Sequence, residues 1–169
     1  MEVQTFKKRY RIGCVPTSKT SEVLKINEEL FGPSESCGHF LSCTMYPINA
    51  IIHPQRLYGM LKNWKEGDVL PSNPLFYEDM DEHCVQLISQ ASDELCKIAD
   101  AIQQKIDIDM HVPHIFDFLS WVYYDAKARN LFDMFTKNPA YKGFRCPFKQ
   151  VDGGYAPDFN NRYFTEVGY

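Results

Sequence analysis

The residues best equipped for chemistry in this chain are a histidine, an asparagine and an arginine. His53 follows the apolar run PINAII and precedes Pro54. An imidazole entering an apolar setting needs partners for its ring nitrogens. One that meets a substrate there can instead pass a proton near neutral pH. The residues alone leave both readings of His53 open, core histidine and proton-transfer group. Asn49 stands four positions earlier, so on a continuous helix the two side chains share a face. There an amide can orient the ring or join it in holding a ligand. Arg162 follows Asn160 and Asn161. Its planar fork can grip a carboxylate bidentately, although a lone arginine serves as readily on the surface.

Other chemical motifs are weaker. His111 and His114 in HVPH lie three apart, a spacing that could serve a metal, but Pro113 between them prevents the regular helix that would align them. His83 falls on a polar helix face, and His39 carries no signal. There is no GxGxxG, no Walker A and no HExxH, and Gly153-Gly154 lacks the strand–turn–helix setting of a dinucleotide fingerprint. The six cysteines include no CxxC pair, which removes zinc-ribbon and thioredoxin-like readings. A chain this long and this apolar does not need disulfide staples, so free, mostly buried thiols in the cytoplasm are expected.

Helices must position these residues. An apolar segment with Pro47 in it reads as one helix over 40–53, bent or started near that proline, ending near His53-Pro54, with LYGMLKNW continuing briefly. From FYED onward, Met80, Cys84, Leu87, Ala91, Leu95, Ile98 and Ile102 recur at gaps of four or three. That is the apolar stripe of a long amphipathic helix. Pro113 fits the first turn of another helix, HIFDFLSWVYYDAKARNLFDMF, with Ile115, Phe118, Leu119, Val122, Ala126 and Phe132 inward. Before these, YRIGCV and EVLKI read as two short strands, and residues 32–38 as a loop. NPAYKGF reads as a turn, and the tail from Arg145 as a long ordered loop leading to a short final element. The fold class expected is mainly α.

Length and composition bound the function. The 169 residues are 44% hydrophobic with a net charge of -4, enough for one packed domain. Lysines and arginines are scattered, with no basic stripe to follow a phosphate backbone, so no nucleic-acid partner is expected. No run of eighteen apolar residues exists, and MEVQTFKKRYR lacks an apolar core behind its charges. Neither a membrane span nor a signal peptide is expected.

The order and spacing of NAIIHPQRLYG, the FYED segment, NPAYKGF and RYFTE resemble the C-terminal helical domain of the opine dehydrogenases, over most of residues 40–166. The part before Gly32 resembles, weakly, the end of the dinucleotide domain that precedes it in that family. The resemblance implies a helical domain akin to that of 6-phosphogluconate dehydrogenase-like enzymes over 32–169, with remnant strands of a Rossmann domain over 1–31. It implies NAD(P)H-dependent reductive condensation of an amino acid with a 2-oxo acid such as pyruvate. His53 would be the catalytic histidine, Asn49 its neighbouring asparagine and Arg162 the substrate-binding arginine. The family carries an aspartate after RY-x-TE that pairs with the histidine, and Val167 stands at that position here. Valine cannot fix the tautomer or stabilise an imidazolium, and Glu166, Asp152 and Asp158 are only loose substitutes. NAD or NADP is the cofactor implied for a complete enzyme. The chain has no nucleotide-binding half, so it reads as a fragment, inactive alone, that binds no coenzyme. The alternative is a helical binding module derived from such a domain.

Overall fold

Residues Thr20–Phe31 form helix α1, not the strand that EVLKI suggests over five residues. The longer window TSEVLKINEELF, rich in Glu, Leu and Lys, favours helix once its apolar positions are read at a period near 3.6. The computed structural model describes residues 7–162 and 164. Its chain divides into two units, one of Met1–Ile48 and Ser89–Lys127, the other of Asn49–Ile88 and Ala128–Tyr169.

In the first unit, β1 (Tyr10–Ile12) pairs in parallel with β2 (Ser34–Ser36), with Tyr10 opposite Ser34 and Ile12 opposite Ser36. Helix α1 makes the crossover that parallel strands require. Strand β2 lies inside the 32–38 segment expected to be loop. Its sequence, SES, has no apolar alternation, and only the partner's hydrogen bonds make it a strand. The Tyr10 N–H donates to Pro33 O at 3.0 Å and the Cys37 N–H to Ile12 O at 3.1 Å.

The helix expected over 40–53 is instead two. Helix α2 is Leu41–Thr44, and α3 starts at Ile48 and runs to Leu61. Pro47 lacks the amide that would reach the Cys43 carbonyl, so the helix breaks there. Pro54 leaves the Ala50 carbonyl without its helical donor in the same way, yet α3 passes through it. The difference is packing. Ile51 and Ile52 are each 2% exposed, and their burial holds α3 together past the defect.

Helix α4 is Glu82–Ile106, shorter than the pattern from FYED suggests. Asp81 sets its start, its Oδ1 accepting from the Cys84 N–H at 2.7 Å, as an N-cap carboxylate does. Phe76 and Tyr77 therefore stand ahead of the helix. The buried face is Cys84, Ile88, Ser92 and Ala99, whereas Ile98 is 49% exposed. The inward stripe thus sits slightly around from the one the apolar residues mark. Ser92 can lie at its centre because its hydroxyl accepts the Ile115 N–H at 2.8 Å.

The next expected helix is also broken. Helix α5 is Ile115–Val122 and α6 is Leu131–Thr136. Between them Lys127 takes a left-handed φ of 50°. Asn130 then caps α6 by accepting the Asp133 N–H at 2.8 Å. Ile115, Leu119 and Val122 are buried as expected, while α6 turns Met134 and Phe135 inward in place of Phe132. The tail from Arg145 contains a hairpin, β3 (Phe148–Val151) and β4 (Gly154–Pro157), paired antiparallel. Its turn is Asp152-Gly153, with Gly153 at φ 83°, a dipeptide suited to a two-residue hairpin loop. Leu70 and Tyr155 exchange backbone hydrogen bonds of 2.8 and 2.9 Å, tying the 62–75 loop to β4. All six cysteines are free, and Cys37, Cys84 and Cys146 are buried. No helix among the described residues is long and apolar enough to cross a membrane.

Helices α3 and α4 meet in the second unit where Gly59 faces Cys84. A Cβ at Gly59 would overlap the Cys84 Sγ. Gly59→Ala gains roughly 1 kcal/mol of helix propensity but overpacks a site where Cys84 is fully buried, a fault that costs about 1–3 kcal/mol. Urea denaturation is expected to show net destabilisation that Cys84→Ala relieves in the double variant. Equal costs in both backgrounds would contradict the contact.

Candidate functional site

Asn49 and His53 line one cavity of about 580 Å3 in the second unit, with Phe76, Tyr77, Phe144, Arg145, Cys146, Phe148 and Asn161 among the other walls. One unbroken α3 brings the pair together, as their four-residue spacing suggests. The size suits a small organic substrate.

The wall opposite His53 is built by an arginine that gave no signal in the sequence. Arg56, 4% exposed, lies one turn beyond His53 on the same side of α3. Its Nε donates to Phe76 O at 2.8 Å and its Nη2 to Leu75 O at 3.1 Å. The Phe76 N–H donates to Phe144 O at 2.6 Å and the Cys146 N–H to Pro74 O at 2.9 Å. The 74–76 segment is thus fixed from both sides. Phe76 then stands edge-on to the His53 ring, centroids 5.3 Å apart at 86°. Behind it, Tyr77 stacks on Tyr141 at 4.4 Å. NPAYKGF therefore supplies a wall, its Pro139–Tyr141 stretch a single 3-10 turn.

Burial in this setting pushes the His53 imidazole down to about 4, because the charged form loses its water. At neutral pH the ring is uncharged, with one nitrogen a donor and the other an acceptor. It can give or take a proton only as a substrate supplies the opposing charge.

Arg162 is exposed and is not itself a lining residue, whereas its neighbour Asn161 is. A turn holds that segment, the Asn161 N–H donating to Asp158 O at 2.7 Å and the Phe164 N–H to Asn161 O at 2.9 Å. Arg145, missed by sequence reasoning, does line the cavity, and its Nη1 donates to Asn73 O. Of the loose carboxylate substitutes, Asp158 faces Lys149 at 3.7 Å and Asp152 is exposed in the hairpin turn. Neither lines the cavity. Glu166 and Val167 lie outside the described residues. His114 is engaged in capping α5, its Nδ1 accepting from the Phe116 N–H at 3.2 Å and its Nε2 lying 3.1 Å from Ser89 Oγ. No group of three or more metal-ligating side chains occurs among the described residues.

The folded His53 pKa lies below its unfolded value, so the unfolded chain takes up the proton first as pH falls. The stability contribution is therefore present above pH 6.5 and is lost as pH falls toward about 4, by up to about 3 kcal/mol. Denaturant titrations at pH 7 and pH 4 are expected to show wild type losing more stability than His53→Gln. Parallel losses would mean that His53 is not buried in its neutral form.

A family profile described as NAD/NADP octopine/nopaline dehydrogenase, alpha-helical domain, matches residues 36–167. Octopine dehydrogenase of Pecten maximus is 32% identical over 158 residues, which cover 89% of this chain and 39% of that protein. Opine dehydrogenase of Haliotis discus hannai is 37% identical over 125 residues, 69% of this chain and 30% of that protein. A solved octopine dehydrogenase with NADH and L-arginine aligns with a TM-score of 0.72 at 31% identity, over 85% of this chain and 37% of that one. Another, with NADH and pyruvate, aligns at 0.70 and 30%, over 86% and 35%. The chain thus spans well under half the length of the relatives it matches.

Proposed function

The chain belongs to the octopine/nopaline dehydrogenase family, whose alpha-helical domain it carries, and we propose that it forms the substrate and proton-handling side of an NAD(P)-dependent opine dehydrogenase. The reaction joins an amino acid to a 2-oxo acid and reduces the product. The observation that carries this reading is the placing of Asn49 and His53 in one cavity with a lining arginine.

The chemistry sets what these residues do. Amine and ketone first form a carbinolamine, which loses water to give an imine, and the imine must then gain a hydride. His53 exchanges a proton with the carbonyl or carbinolamine oxygen, the general acid–base step that expels water. A neutral imidazole suits it, since its N–H can approach the oxygen without the cost of a buried charge. Asn49, one turn away, holds the ring or the substrate by its amide. Both substrates bring a carboxylate, so two cations are wanted. Arg145 lines the cavity and Arg162 follows the lining Asn161. We assign one carboxylate to each, with Arg162 on the 2-oxo acid, anchoring the reacting carbon in place.

The hydride is nicotinamide chemistry, and the described residues do not fit that coenzyme. The parallel β1–α1–β2 unit resembles the repeat of a dinucleotide-binding sheet. Yet Gly13, the one glycine in its first turn, is packed against the sulfurs of Cys37 and Cys43, which leaves no cradle for a pyrophosphate. We therefore assign residues 1–31 to the end of a nucleotide-binding domain, and residues 32–169 to the helical domain. The coenzyme, NAD or NADP, is assigned to the full-length enzyme, with the 169 residues by themselves silent.

Two measurements test this. NADH titrated into the 169-residue chain is expected to give no saturable fluorescence change, and tight binding would overturn the assignment of the coenzyme elsewhere. The protein as its own gene encodes it, given NADH, pyruvate and a panel of amino acids, is expected to form a product whose mass is the sum of both substrates less one oxygen. Arg162→Gln should raise the pyruvate KM about tenfold or more, the scale of a lost charged hydrogen bond. No condensation product with any amino acid, or an unmoved KM, would contradict the reading.

A further inference from the structure

A second cleft, of about 170 Å3, is lined wholly by the first unit, including Arg11, Tyr46, Cys37, Ile48, Pro113 and Phe118. It shares no residue with the cavity around His53. The Nε and Nη1 of Arg11 and the hydroxyl of Tyr46 are shielded from solvent here, and none of the three has a hydrogen-bond partner. Buried polar atoms left so are rare and costly. A guanidinium offers only donors. Arg11 Cζ lies over the Trp121 ring, 5.0 Å from its centroid, a cation–π contact that gives the Nε and Nη1 donors no acceptor atom.

The cleft supplies no negative charge of its own. Burial, and then the S–H···S contact with Cys43 at 3.3 Å, push the Cys37 thiol up to about 12, so it stays neutral. Burial first, and then the nearby Cys96, raises Tyr46 well above the usual phenol range, against a smaller lowering by Arg11, and keeps it a donor. The nearby Glu35 accepts from Trp121 Nε1 at 3.3 Å. Asp117 is exposed on α5 and is not in the lining, where Cys43 and His111 are the remaining titratable groups. Several unanswered donors therefore face a hollow whose remaining walls are largely hydrocarbon.

We propose that this cleft binds a small monocarboxylate, its oxygens accepting from the Arg11 guanidinium and the Tyr46 hydroxyl and its short aliphatic tail lying against Ile48, Pro113 and Phe118. A single negative charge matches a single arginine. No lysine lines the cleft, so a phosphate dianion would be left half-compensated among apolar walls.

Butanoate titrated into the isotope-labelled full chain tests this through the Arg11 Nε–H signal in nitrogen-proton NMR spectra, with inorganic phosphate as the parallel titrant. The expected result is a saturable shift with butanoate and none with phosphate. Arg11→Met abolishes the butanoate-dependent shifts of the Tyr46 and Ile48 backbone amides, followed in the same spectra, and Tyr46→Phe weakens binding about tenfold, the worth of one hydrogen bond to a charged group. Tyr46→Phe removes a single oxygen and keeps the ring, so it remains decisive if Arg11→Met does not fold. A saturable response to phosphate but not butanoate overturns the proposal. So does no saturation by butanoate, or an affinity that Tyr46→Phe leaves unchanged.

Discussion

The second unit depends on one buried cation. Arg56 spends its guanidinium on the carbonyls of Leu75 and Phe76, in the segment ahead of α4. Without those bonds the segment ahead of α4 would carry buried carbonyls with no donor, each costing about 1–3 kcal/mol. The clamp also decides geometry. Because Arg56 and His53 lie a turn apart on α3, fixing Phe76 to one fixes it against the other. The His53 environment follows from this tie more than from any contact His53 makes itself.

The same tie explains the state of the imidazole. An aromatic edge at 5.3 Å and a half-buried position deprive the charged form of water, so His53 remains neutral where an exposed histidine would begin to titrate. A low pKa is a poor setting for a resting acid but a suitable one for a residue that handles a proton only with substrate present. On the proposed reading, an incoming carbonyl oxygen with carboxylates held by arginines would change the local field enough to matter in a partly desolvated cavity. A carboxylate partner of the kind the family resemblance implies would raise that pKa. Asp158 faces Lys149 at 3.7 Å and Asp152 is exposed in the hairpin turn, so neither takes that part.

Much of this was legible in the residues and some was not. The long helix, the buried face of α5 and the pairing of Asn49 with His53 follow from spacing, because helical period alone determines them. Pro47 marks a true break and Pro54 does not. Only the burial of Ile51 and Ile52 separates the two, and burial is a tertiary fact. The breakdown of the helix after Val122 had a local sign, Asn130 three before Asp133, which the aromatic run around it obscured. The Asp152-Gly153 turn is equally visible, since Asp-Gly suits a two-residue hairpin loop whatever Gly153-Gly154 lacks as a nucleotide motif. Strand β2 had no sign at all, since SES becomes a strand only by lying beside β1. Arg56 and Arg145 were hidden for a similar reason. An arginine that clamps a distant loop or lines a cavity looks, in sequence, like any other.

The central claim is that His53 moves the proton at the reacting oxygen. It is tested most directly by steady-state turnover of His53→Gln in the protein as its own gene encodes it, with amino acid, pyruvate and NADH. Glutamine fills a similar volume and keeps hydrogen bonding while removing the titrating nitrogen. The expected result is a fall in kcat of about 10²-fold or more, with the pyruvate KM changed by no more than a few-fold. Turnover equal to wild type would return His53 to the role of a core histidine and remove the chemistry from this cavity.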